Sequence, residues 1–111
     1  MTPTRLRSSN LLPDRHLATL AKALGHPVRV HILRQLLQQE QCVAGHLALS
    51  LPLAQSTVSE HLRILREAGL VSGEVDGPRR CYCANREMLS RFTETLSRLE
   101  GQPAVAAKKS C

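Results

Sequence analysis

Aromatic side chains are almost missing from this chain of 111 residues: there is no Trp, and Tyr82 and Phe92 are the only rings of their kind. A binder of single-stranded nucleic acid stacks bases on aromatic platforms, and two rings cannot build one. No run of 18 apolar residues occurs, so no segment is expected to span a membrane. Residues 1–12 lack the basic-then-apolar pattern of a secretory signal, and the expected compartment is the cytoplasm. No glycine-rich phosphate loop occurs, and Ser56 has no nucleophile-elbow context. These absences point away from an enzyme. There is also no internal repeat.

What is present is positive charge and thiol. Lys and Arg total 15 against 9 Asp and Glu, a formal net charge of +6. A polyanionic partner, nucleic acid first, fits that balance. The charge is spread along the chain, and 12 of the 15 cations are Arg. Arg makes forked contacts to phosphate or guanine, where Lys acts as a point charge. Four cysteines stand in the chain. In a reducing compartment they are expected as thiols, which are ligands or sensors rather than staples.

The hydrophobic period divides the chain. Residues 1–12 read as a flexible arm, 13–100 as one folded domain, and 101–111 as a disordered tail. Asp14 is positioned to cap a first helix over 14–24, with Leu17, Leu20 and Leu24 at helical spacing. Pro27 opens a second helix whose Val28, Ile32, Leu33, Leu36 and Leu37 share a face. A short third helix is expected over 43–49, until Pro52 breaks the pattern. The fourth helix runs from Ala54 to Gly69 on a stripe of Val58, Leu62 and Leu65. Residues 70–75 and 80–84 read as strands around an Asp76-Gly77-Pro78-Arg79 turn. A fifth helix over 86–99 carries Leu89, Phe92, Leu96 and Leu99. The expected class is mainly α with a β-hairpin wing: a winged helix-turn-helix of five helices and two strands, dimeric.

This order has a physical use. The major groove of double-stranded DNA admits one helix, which must offer short polar side chains while its other face stays buried. At ~100° per residue, Ser56, Ser59, Glu60 and Arg63 fall opposite Val58, Leu62 and Leu65. Gln55, Ser56, Thr57, Ser59, Glu60, His61 and Arg63 are the candidate DNA contacts. Arg79 and Arg80, at the hairpin tip, suit a phosphate or a minor groove. An ordinary amphipathic helix with a solvated face has the same periodicity. A protein-interaction module without DNA binding is the reading from another class.

The stretch 20–33, Leu-Ala-Lys-Ala-Leu-Gly-His-Pro-Val-Arg-Val-His-Ile-Leu, resembles the opening of the ArsR/SmtB repressors. Residues 55–71, Gln-Ser-Thr-Val-Ser-Glu-His-Leu-Arg-Ile-Leu-Arg-Glu-Ala-Gly-Leu-Val, look like that family's recognition helix and its exit. The resemblance covers roughly residues 14–99. It implies a homodimeric winged-helix repressor that leaves a palindromic operator when a metal, metalloid or reactive species binds. It also implies a dimer interface from the first and last helices, here Leu17, Leu20, Leu24, Phe92, Leu96 and Leu99. A two-fold dimer would read half-sites ~34 Å apart.

The effector site departs from the best-known members. One family site uses Asp and His on the last helix, and this chain has no His after His61. Another uses a Cys-x-Cys-Asp run, of which only Cys42 is matched here. The chain offers Cys81-Tyr82-Cys83 instead. Residues i and i+2 of a strand share a face, so Cys81 and Cys83 form a same-face dithiol. Two soft thiolates suit As(III), Sb(III) or a soft metal, with Cys42 as a possible third ligand. Their Cα atoms would lie ~6.6 Å apart, near the upper limit for a disulfide. Small apolar packing under the wing is the plain alternative, and oxidation or sulfane-sulfur uptake by Cys42, Cys81 or Cys83 is another. No cofactor is expected for folding, and Cys111 stands in the tail.

Overall fold

Leucine spacing shapes the fold from its first described turn. The computed structural model describes residues 11–39, 43–44, 52–76 and 79–101. Helix α1 spans Asp14–Ala23 and α2 spans Pro27–Leu37. Strand β1 is Val43–Ala44, and α3 spans Gln55–Ala68. Strands β2 (Val71–Asp76) and β3 (Arg79–Ala84) form the hairpin, and α4 spans Arg86–Glu100. The result is a mainly helical winged helix-turn-helix.

Two local expectations are corrected. The helix expected from residue 43 is a strand at its start: Val43 pairs with Tyr82 and Ala44 with Cys81, both antiparallel. A β-branched residue beside an open strand edge gains a ladder there that helical periodicity does not reveal. The sheet therefore has three strands in the order β1-β3-β2, and four helices are found among the described residues. Asp14 is the first residue of α1 rather than its cap; Pro13 holds the cap position, without a side-chain hydrogen bond.

The core joins one face of each helix. Leu20, Ile32, Leu65 and Leu70 are fully buried, with Leu33, Leu36, Val58, Leu62, Phe92 and Tyr82 around them. Helix α3 packs on α1, α2 and β2, while α1 packs on α4. Leu12 is buried too, and its N–H donates to the Thr95 hydroxyl at 3.0 Å. That places Leu12 with the folded body rather than the arm. Thr95 donates in turn to the Arg91 carbonyl at 2.7 Å.

Caps fix the joints around the hairpin. Gly69 ends α3 at φ 96°, a left-handed conformation that glycine adopts without a Cβ clash. Asn85 caps α4 by accepting from Met88 N–H at 3.1 Å, and its amide donates to the Gly69 carbonyl at 2.9 Å. One side chain thus ties the exit of α3 to the exit of β3. Arg86 donates to the carbonyls of Leu37 and Gln39, at 2.7 and 3.0 Å, and so closes the C-terminus of α2.

Candidate nucleic-acid interface and thiol strand

Helix α3 separates packing from chemistry by its period. Val58, Leu62, Leu65 and Ala68 are buried, while Gln55, Ser56, Thr57, Ser59, Glu60 and Arg63 are exposed. Its N-cap, Ala54, supplies no side-chain hydrogen bond.

The exposed face is organised by one guanidinium. Arg63 Nε donates to Glu60 at 3.0 Å, and Nη1 donates to Glu67 at 2.9 Å. Nη2 donates to the second oxygen of Glu60. Hydrogen bonding to Arg63 holds the Glu60 carboxyl below its usual range, and the two carboxylates raise Arg63 further. Glu67 was not among the candidate residues, although its spacing of four from Arg63 is the helical ion-pair distance.

His61 is placed differently from its neighbours. It is half-buried, and its ring lies 4.6 Å from that of His26, tilted by 58°. His26 caps α2, its Nδ1 accepting from Val28 N–H at 3.1 Å. His61 Nδ1 and Arg29 Nε are buried without a hydrogen-bond partner among the described residues. Burial lowers the His61 pKa, and the neighbouring His26 and Arg29 lower it further, against Glu60. His61 thus braces α3 on α2. Period alone did not separate that role from a groove contact.

The hairpin brings Arg79 opposite Asp76 and Arg80 opposite Val75. Behind them β3 alternates: Tyr82 is buried, whereas Cys81 and Cys83 are half-buried. Gly73 faces Tyr82, and a Cβ at that position would lie 3.3 Å from the Tyr82 ring. The missing side chain spares the ring a shift of a few tenths of an ångström. Cys81 stands between Ala44 of β1 and Glu74 of β2.

The two thiols are not equivalent. Cys81 is free, and Cys83 is disulfide-bonded. Cys42 and Cys111 lie outside the described residues. No group of three or more His, Cys, Asp or Glu able to hold a metal ion is found among the described residues.

The proposed dimer residues also divide. Leu20 and Phe92 are buried in the protomer's own core, and Leu17 and Leu24 pack against it. Leu96 and Leu99 are exposed, at 43% and 69%. Among the described residues no helix is long and apolar enough to cross a membrane.

Comparison with known proteins agrees with this geometry. Residues 26–72 match the family described as "Bacterial regulatory protein, arsR family". The transcriptional repressor SmtB of Mycobacterium tuberculosis is 43% identical over 75 residues, covering 68% of this chain and 49% of the repressor. The chain thus spans about half the length of that relative. The transcriptional regulator CmtR of Mycobacterium bovis is 37% identical over 97 residues, covering 83% of this chain and 81% of CmtR. The solution structure of CmtR from Mycobacterium tuberculosis, a cadmium sensor, superposes with a TM-score of 0.52 at 35% identity, over 83% of this chain and 99% of that one. An ArsR-like regulator from Rhodococcus has a TM-score of 0.65 at 29% identity, over 77% of this chain and 79% of its own. These relatives are transcriptional regulators, not enzymes, and this chain belongs to the ArsR family.

Proposed function

We propose that this chain is a metal-responsive, DNA-binding transcriptional repressor, working as a cytoplasmic homodimer on a palindromic operator. The exposed polar face of α3, backed by a buried one, carries the reading. Gln55, Ser56, Thr57, Ser59, Glu60 and Arg63 meet base edges in the major groove. Arg79 and Arg80 hold the flanking backbone. His61 supports the helix from behind. Leu96 and Leu99, exposed on α4, join the two protomers.

The effector we propose is As(III) or Sb(III), held by thiolates of Cys81 and Cys83, with Cys42 as a third ligand. The donors fit: both described thiols lie on one strand and alternate with a buried Tyr82. They follow Arg79 and Arg80 directly. A ligand drawing the thiolates together bends β3 and moves those arginines off the phosphates. Losing charge-assisted contacts weakens binding steeply at physiological salt. Reduction of Cys83 must precede metalation, because a metal binds thiolate rather than disulfide. The test is DNA release by arsenite, antimonite and cadmium from reduced protein. Wild type should release; Cys81→Ser and Cys83→Ser should not. Release by both variants at wild-type concentrations places the site elsewhere.

The disulfide at Cys83 favours one second reading, a thiol-redox or persulfide sensor on the same fold. In that reading oxidation alone releases DNA, and mass spectrometry finds a bridged or persulfidated Cys83. If no duplex is bound at low salt, the chain is a protein-interaction module instead.

A further inference from the structure

The outward stripe of α3 has the wrong sign for a simple cation-to-phosphate contact. At ~100° per residue, Ser56, Glu60, Arg63 and Glu67 fall within one narrow arc. That arc holds one Arg and two Glu, a net charge of −1 in a chain of +6. All three guanidinium nitrogens of Arg63 are engaged there: Glu60 takes one edge, Nε and Nη2, and Glu67 takes Nη1. All three residues are exposed, with side-chain exposures of 46% for Arg63 and 62% for Glu67. Water can therefore replace either carboxylate, and so can DNA.

We propose that Glu67 is a specificity-determining residue that acts by holding Arg63 away from phosphates; the proposal rests on the DNA-binding reading of α3. Sequence-independent affinity comes almost entirely from cations meeting phosphate oxygens. An Arg63 pinned by two carboxylates of its own helix contributes little to it. A matching site offers more than charge. Guanine O6 and N7 take both donors of an Arg fork, and cytosine N4 donates to a carboxylate such as Glu60. Only there do new partners replace the old ones in kind. Discrimination is a difference of affinities, and the clamp lowers the smaller of the two. Glu67 touches no base; it is a positioning residue for Arg63.

The experiment measures binding of full-length protein to two duplexes, one of random sequence and one selected by the wild type from a random pool. Glu67→Gln should raise random-duplex affinity about threefold, the scale of an exposed ion pair. Its salt slope should steepen by up to ~0.9, one added phosphate contact. Affinity for the selected duplex should change less, so the ratio falls. Glu94→Gln removes the same formal charge from α4, beside Arg98, and should leave the ratio unchanged. In an Arg63→Ala background, Glu67→Gln should have no further effect. Equal gains for Glu67→Gln and Glu94→Gln, or a gain persisting without Arg63, overturn the proposal and leave the DNA-binding reading intact. Absence of binding by the wild type to either duplex at low salt overturns both.

Discussion

Helix α3 and strand β3 present their candidate site residues in two different ways. On the exposed face of α3 the partners are local: Glu60, Arg63 and Glu67 sit three and four residues apart. In β3 the partners lie on other strands, with Ala44 of β1 on one side of Cys81 and Glu74 of β2 on the other. A helix surface can be assembled by its own sequence. A strand surface is completed by segments that must first fold against it. The difference suits the two proposed tasks. A reading head must keep its geometry in every state, whereas a sensor must couple a ligand to something else.

The comparison can be tested first on α3 alone. Leu65→Ala, on the inner face, should destabilise the protomer by about 3 kcal/mol, because it leaves a cavity at a fully buried site. Ser59→Ala, on the outer face of the same helix, should stay within about 0.5 kcal/mol while weakening DNA binding. Chemical denaturation separates the two. A large stability loss from Ser59→Ala would show that the outer face is not free for DNA.

Next comes the hairpin. Arg79→Ala with Arg80→Ala should reduce the slope of log affinity against log salt by about 2, one unit per phosphate contact. An unchanged slope would detach the wing from DNA and remove the route from the thiols to affinity. On α4, Leu96→Ser with Leu99→Ser should raise the concentration at which protomers separate by about tenfold or more, an effect of about 1.4 kcal/mol. Analytical ultracentrifugation reads it. Thermal stability at high protein dilution should hardly move, since both side chains are exposed in the protomer.

The smallest effect is a pH dependence. The His61 pKa lies below its ordinary 6.5 because burial and the neighbouring His26 and Arg29 disfavour the imidazolium. Unfolded chain therefore binds more protons than folded chain near that pH. Stability from this site is present above 6.5 and falls away as pH drops through the folded value. His61→Gln should flatten that part of the profile. An unchanged profile would mean that the α2–α3 contact does not report protonation.

The sequence made the helices legible because their apolar residues repeat at 3.6. Val58, Leu62 and Leu65, and the glycine stop at Gly69, lie where that period and turn chemistry place them. The hairpin was legible for the same kind of reason, alternation around an Asp-Gly-Pro turn. What stayed hidden depends on contacts between distant segments. Val43 looks helical in its own neighbourhood and becomes a strand because β3 offers an edge. The ring contact of His61 with His26 at the cap of α2 leaves no mark in the helical period. Leu20 and Phe92 look like interface residues until the core claims them, which leaves Leu96 and Leu99 outside. At the thiols, alternation placed Cys81 and Cys83 on one strand, but no spacing rule separates a free thiol from its disulfide-bonded neighbour.

The central claim is that β3 transmits thiol chemistry to the DNA-contacting hairpin. Fluorescence anisotropy of a labelled, selected duplex tests it, with reduced protein titrated by arsenite. The account predicts release from wild type and retention by Cys81→Ser and Cys83→Ser, all three binding equally before arsenite. Release from both variants at the wild-type concentration would contradict it.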